Sequence, residues 1–400
     1  MKSYDVIVIG GGLQGSSTAY QLAKRGMKVA LIEQADLASG TASHTDGAAL
    51  ISDKQPGVDV LQGWHSVKMF QQLQSEIDYD MEFEHVGFMY ACETAQEMEA
   101  AADYAAKVRA QGFSMETITP KEMVEREPHI AKDLAGGIWT ESDGLVCPYK
   151  VVFAFAESAK KLGADIHTFT TVTGIKRGGK GEIVGVETDK GDFLAPKVVA
   201  ATGVWTPFIG KMLGLEIPIE PRKGILLVTE KAQTIAHTEV LEFGYWLAKF
   251  FANFKRPVSE LVEKHNVCLN IETTASGNTI VGGCRLFRGY DTRVEHEIMQ
   301  AIAERAIRFF PILKDINCIR SFGGIRPFSL DHLPIVSAVK NVPGFYIAAG
   351  HEGDGVALAP ITGLLMAQII CGEELEFPEA KELSWDRFDG VDLETLKEHP

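Results

Sequence analysis

Tyr4-Asp5-Val6-Ile7-Val8-Ile9-Gly10-Gly11-Gly12-Leu13-Gln14-Gly15 is the stretch whose reading decides the fold. An apolar strand runs straight into Gly-x-Gly-x-x-Gly, and an amphipathic helical pattern over 16–25 follows and closes at Gly26. The first glycine of such a turn bends the chain sharply, the second lets the backbone approach a pyrophosphate, and the third lets the helix pack on the strand. The helix start then offers free N–H groups and a positive dipole end to the phosphates. Ile9, Gly10, Gly12, Leu13, Gln14 and Gly15 are therefore expected at a dinucleotide. Working outward, 29–32 reads as the second strand and ends at Glu33, with Gln34 beside it. An acid roughly 20 residues past the glycines is where a ribose hydroxyl finds its partner. Because that residue is an acid and not an arginine, FAD or NAD is favoured over NADP.

Composition sets wider bounds. Four hundred residues suggest two domains in one chain, and 46% hydrophobic residues can fill a large core. A net charge of −15 argues against nucleic acid or an anionic membrane as a partner through bulk electrostatics. No apolar run reaches the roughly 18 residues that would suggest a membrane span, although peripheral membrane association stays open. With the first strand this close to Met1, no secretory leader is expected and a cytoplasmic location is. The six cysteines are scattered without a Cys-x-x-Cys pair, which suits reduced, buried thiols and no metal site.

Along the chain, helices are expected over 59–77, 94–111, 150–162, 207–213, 294–309 and 358–370, with Thr94 and Thr119 as N-caps. Strands are expected over 84–92, 165–173, 181–188, 191–195, 197–203 and 344–350, and a second β-rich stretch starts at 223–229 and runs past Gly289.

Four segments in this order resemble the D-amino-acid oxidase superfamily of FAD-dependent amine and amino-acid oxidoreductases. They are the opening turn with Glu33; Gly40-Thr41-Ala42-Ser43-His44-Thr45-Asp46-Gly47; Ala200-Ala201-Thr202-Gly203-Val204-Trp205; and Gly324-Ile325-Arg326-Pro327 followed by Asp331-His332-Leu333-Pro334 and the 350–355 loop, Gly-His-Glu-Gly-Asp-Gly. The resemblance implies an α/β chain with a Rossmann-like FAD-binding domain built from 1–50, 145–219 and 321–400. A mixed β-sheet substrate domain, 51–144 and 220–320, is inserted into it. Tyr245-Trp246-Leu247-Ala248-Lys249-Phe250 and 271–278 look most like the β-type catalytic subunits of bacterial hydroxyproline or proline dehydrogenase, opine oxidase and hydrogen cyanide synthase.

What the resemblance implies about the site follows residue by residue. The hydroxyl-rich loop would meet FAD through Thr41, Ser43, His44, Thr45, Gly47 and Ala48, and Val172, Ala201, Thr202, Gly203 and Trp205 would close the opposite side. Gly350, Gly353, Asp354, Gly355 and Val356 would bring backbone and a helix start to the flavin. Gly40…His44…Gly47 matches the spacing of relatives whose histidine carries flavin covalently. Ser43 replaces their aromatic residue, so non-covalent FAD with a polar His44 contact is favoured. Arg326 is expected both beside the cofactor and on the substrate carboxylate, because that role needs a permanently charged, fork-shaped donor. Tyr245, His351 and Glu352 complete the expected catalytic group, with Trp246 and Arg285 along the substrate face.

The implied reaction is oxidation of an amino acid or secondary amine to the imine by hydride transfer from Cα to flavin N5. D-hydroxyproline, proline, sarcosine, glycine and an opine are the substrates considered. Gly324 stands where monomeric sarcosine oxidases attach flavin through a cysteine, and Phe287 stands where they carry an oxygen-activating lysine. Both departures favour a dehydrogenase that passes electrons to partner subunits or a quinone. A stand-alone peroxide-forming oxidase and a flavin-holding subunit inactive without its partners are the alternatives, and an NAD-dependent dehydrogenase fits the opening turn but not the 350–355 loop.

Overall fold

A computed structural model describes residues 2–251 and 253–397. Its first sheet has six strands in the order Asp165–His167, Val29–Ile32, Val6–Ile9, Val198–Ala200, Phe345–Ala349, Ile335–Ala338. All neighbours are parallel except the last pair. The central strands are apolar at every position because both faces are covered. Val6 and Val8 face the helices Leu13–Lys24, Pro148–Lys161 and Ala359–Cys371, while Ile7 and Ile9 face the layer that includes Phe193, Ile183 and Val186. The opening helix begins at Leu13, earlier than the amphipathic pattern suggests, and its whole first turn is buried.

A nine-stranded sheet forms the second body. Its order is Leu286–Phe287, Ile219–Thr229, Thr279–Cys284, Val267–Thr273, Glu239–Glu242, Phe88–Cys92, Gly136–Thr140, Glu116–Ile118, with Cys318–Ser329 pairing along the outer side of Ile219–Thr229. Strand alternation divides its two faces. Met89, Ala91, Ile225, Leu227, Val240, Leu269, Ile271 and Val281 pack under the helix His296–Phe309. Tyr90, Leu226, Glu239, Leu241 and Asn270 face the other way, toward the first body, and line a pocket there.

Two expected strands are broken, the first being that over 165–173: it ends at His167, and after Phe169 at φ +51° the chain resumes in another sheet at Val172–Arg177. The stretch from 223 past Gly289 is β-rich as expected but is interrupted by two helices, Phe243–Phe250 and Glu260–Lys264. The first has no alternation of polar and apolar residues; it turns Phe243 and Leu247 into a core with Tyr90 and Tyr104. The strand expected over 84–92 is split into Glu84–His85 and Phe88–Cys92 by Gly87, whose φ of +74° breaks the pleat. Thr94 and Thr119 cap their helices as expected, Thr119 within a reciprocal capping box with Glu122. Among the described residues no helix is long and apolar enough to cross a membrane, and no metal-binding cluster of His, Cys, Asp or Glu occurs.

Candidate active site

The C-terminal ends of the parallel strands open into a cavity of about 520 Å³. Its floor is the opening turn. A Cβ on Gly15 would sit 1.8 Å from the Gly10 carbonyl oxygen, and one on Gly10, at φ +110°, 2.5 Å from that of Ala201. A Cβ on Gly12 would meet nothing within 4 Å, so the backbone there is bare toward the cavity. The helix that follows has neither a side-chain cap nor an acid in its first turn, which leaves its N–H groups for an anion. The Gln14 side-chain amide ties this turn to the far wall: Nε2 donates to the Gly355 carbonyl (2.8 Å), and Oε1 is buried without a partner among the described residues. The Glu33 carboxylate closes the other end, accepting from Gly11 N (2.7 Å) and Ala35 N (2.9 Å). A long cavity with a bare glycine backbone over a helix start at its middle and a braced carboxylate at one end fits a dinucleotide such as FAD.

The expected cofactor residues divide by place. Ile9, Gly10, Gly12, Leu13, Gln14, Glu33, Gln34, Thr41, Thr45, Val172, Ala201, Thr202, Gly203, Trp205, Gly353, Gly355 and Val356 all line this cavity. Gly15 lies beneath the turn, and Ser43, Gly47 and Gly350 do not line it. Ala48, Asp354 and Arg326 line a deeper pocket of about 70 Å³, and His44 a small void of about 20 Å³ that also touches Arg326. His44 is largely exposed, its Nδ1 2.9 Å from the Gly40 carbonyl oxygen. Residues not anticipated from sequence also line the large cavity, among them Thr170, Thr171, Phe208 and Met212.

Of the expected catalytic residues, His351 and Glu352 line the cofactor cavity and Tyr245 the deeper pocket. His351 is turned inward, 2.9 Å from the Thr362 hydroxyl, and burial lowers its pKa to about 3, so it is a neutral ring with no surface for another subunit. Glu352 sits at φ +47° and accepts from Gly353 N (2.7 Å). Burial opposes its ionisation, but Arg285 (3.4 Å), then Lys249, Arg222 and Arg326, outweigh it and hold the carboxyl well below the usual range. Tyr245 lies under the Arg285 guanidinium, 5.1 Å from ring centroid to cation.

Arg326 lies on the wall between the cavities. Its Nη1 donates to the Cys284 carbonyl (3.0 Å), the one hydrogen bond it makes among the described residues. Two glycines create its berth: a Cβ on Gly224 would be 2.2 Å from Nη1, and one on Gly283 would be 3.8 Å from Nη2. The deeper pocket is otherwise crowded with charge, of which only Asp46, Lys249 and Asp354 fall in the motifs quoted above. Lys54, wholly buried, bridges Asp53 and Asp354, each at 2.9 Å. Asp46 accepts from the Asn270 amide (2.9 Å), and Glu272 accepts from Gly47 N. Burial raises the Asp53 pKa to about 7 and the Glu272 pKa to about 8, the latter pushed further by Asp46. Hydrophobic pattern and motif spacing are silent about Asp53, Lys54 and Glu272, because their surroundings come from elsewhere in the chain.

Comparison with known proteins agrees with this geometry. Residues 5–369 match the family model described as FAD dependent oxidoreductase. The chain is 27% identical over 381 residues to glycine oxidase of Geobacillus kaustophilus, covering 94% of each. It is 25% identical over 417 residues to the hydrogen cyanide synthase subunit HcnC of Pseudomonas protegens, again covering 94% of each. Its structure superposes on L-proline dehydrogenase from P. horikoshii with a TM-score of 0.86 at 25% identity, over 97% of this chain and 98% of that one. The chain belongs to the family of FAD-dependent oxidoreductases, and FAD is its cofactor.

Proposed function

We propose that this FAD-dependent oxidoreductase oxidises the carbon–nitrogen bond of an amino acid to the imine, and that the electrons leave to a partner subunit or quinone. The observation that carries the reading is Arg326: a permanently charged fork in a small buried pocket against the cofactor cavity, with only one of its N–H groups engaged. A carboxylate is the ligand such a fork fits. When bound, FAD supplies a hydride acceptor at flavin N5. The chain's own part is to hold and dry the substrate. Arg326 anchors the carboxylate and so fixes which substrate bond faces the cofactor cavity, and alignment of that kind is a large share of such a rate enhancement. Tyr245 and Trp246 wall the pocket and exclude water. Glu352 keeps Arg285 engaged, so that Arg326 is the fork left for the substrate.

Two features support transfer to a partner over direct use of oxygen. Phe287, where oxygen-using relatives carry a lysine, packs edge-on against Phe328 with centroids 5.5 Å apart and brings no cation to the site. Gly324 has no room for a thiol, since a Cβ there would lie 2.4 Å from the His44 carbonyl oxygen. The likeness to HcnC, a subunit of a larger enzyme, points the same way. The test is anaerobic bleaching of the purified holoenzyme's flavin by D- and L-proline, both hydroxyprolines, sarcosine, glycine and an opine, with oxygen readmitted afterwards. Bleaching with slow reoxidation is expected. Rapid reoxidation with peroxide overturns the dehydrogenase reading, and no bleaching by any amine overturns amine oxidation.

A further inference from the structure

The deeper pocket carries more charge than binding one carboxylate requires. Along the sheet face that forms its floor, the Arg326 guanidinium leans across Gly224 and reaches Gly283, so its head lies over the Thr279–Cys284 strand. Two strands further on, about 10 Å away at ordinary strand spacing, Glu239 lines the same pocket. Glu239 is fully buried, and neither carboxylate oxygen has a hydrogen-bond partner among the described residues.

The acids around it are already used. Glu272 holds Gly47 N with both oxygens (2.9 and 3.1 Å), and Asp46 holds Asn270. Of the pocket's other charges, Arg285 is engaged by Glu352, and Asp53 and Asp354 by the neighbouring Lys54, while Lys249 lies over the Phe250 ring, its ammonium pushed below the usual range by burial and then by Arg285. A buried carboxyl without a partner is costly to the fold. Burial first, then Glu272 and Asp46, hold the Glu239 carboxyl well above its usual range, which favours its neutral form unless a cation lies beside it. An arriving cation restores its ionisation.

We propose that Glu239, backed by Asp46, is a subsite for a second positive charge on the substrate, so that the preferred substrate is a basic amino acid with a side-chain amine or amidine. This rests on the amino-acid oxidation proposed above. With the α-carboxylate on Arg326, the terminal nitrogen of an extended ornithine or lysine spans the remaining distance to Glu239.

The test is anaerobic titration of the holoenzyme, following flavin absorbance, with D and L forms of ornithine and lysine against norvaline and norleucine. The expected result is a preference of about a hundredfold for the basic amino acids, expressed in half-saturation, the scale expected for a desolvated charge pair. Glu239→Gln should collapse that preference to within a few-fold, and Glu239→Asp, which keeps the charge but shortens its reach, should fall between. Should the glutamine variant not fold, the preference of the unaltered enzyme still decides. Bleaching by norvaline at the same concentrations as ornithine overturns the subsite and leaves amino-acid oxidation standing. No bleaching by any of the four overturns the subsite, and the proline, hydroxyproline, sarcosine, glycine and opine panel then decides amino-acid oxidation separately. A Glu239→Gln variant that keeps the preference but shifts the pH profile for both substrate classes alike marks Glu239 as a proton acceptor and also overturns the subsite.

Discussion

The two cavities of this molecule touch, yet they are built on opposite principles. The cofactor cavity is made of backbone: a bare glycine turn, an uncapped helix start and small residues, with Glu33 braced by two main-chain N–H groups. The deeper pocket is lined by charged side chains, Arg326, Arg285, Lys249, Asp46, Asp53, Glu239 and Asp354, drawn from separate strands, helices and loops and buried together. A backbone site takes one shape of ligand and tolerates almost no added atom. A side-chain site is costly to assemble but can be retuned one residue at a time. Variants that add an atom should therefore be most harmful in the first region, and variants that remove a charge should be selective in the second.

The sharpest break is at Gly15. A methyl there meets the Gly10 carbonyl oxygen at 1.8 Å, and both atoms belong to backbone that cannot swing aside. Gly15→Ala should yield protein without flavin and cost about 3 kcal/mol or more of stability, read from the ratio of flavin to protein absorbance and from the melting temperature. Retention of full flavin content would show that the turn yields, and would remove the contrast.

Arg326→Met comes next and tests the other region. Flavin content should be kept, while kcat/KM for amino acids falls by about 100- to 1000-fold. Arg326→Lys should recover little of it, since a point charge does not reproduce the fork. Loss of flavin in either variant would make Arg326 a cofactor residue first. Gly224→Ala sharpens the same point without touching a charge. The added methyl would lie 2.2 Å from Nη1, so the guanidinium must move. A displacement of that size should raise KM on the order of tenfold to a hundredfold with flavin content unchanged, measured by anaerobic titration.

The same contrast explains what was legible in the sequence. The backbone cavity is encoded by contiguous motifs, because glycines at fixed spacing and an acid at the end of the next strand are local demands of one βαβ unit. Most residues expected there from sequence do line the cavity. In the deeper pocket, Arg326 and Tyr245 stand out in their local motifs, but Glu239 and Asn270 look like ordinary strand residues. Their roles depend on register: pairing of Leu241 with Asn270 is what sets Glu239 beside Glu272. Gly224 is invisible for the same reason, being required only because Arg326 lies opposite Arg222 on the next strand and folds back over it. The helix Phe243–Phe250 is only eight residues long and nearly all apolar, too short for its helical period to be told from a buried strand.

The smallest expected effect is also the one that measures the cost of the charged pocket. Burial, and next Asp46, raise the Glu272 pKa to about 8, far above that of the unfolded chain. The folded protein therefore binds a proton that the unfolded chain has released, and stability falls as pH rises from the unfolded carboxyl range to about pH 8. Above that value both states are ionised and the slope vanishes. Glu272→Gln removes the titration while its side-chain oxygen can still accept from Gly47 N. Its melting temperature should decline less than that of the unaltered protein between pH 5 and pH 8, a difference of ~1–3 kcal/mol at the upper end. Thermal unfolding across that range checks it. Parallel curves would mean that Glu272 is ionised in the fold, in which case the acidic end of the pocket already holds a charge and the neutral form of Glu239 is favoured for a stronger reason than burial alone.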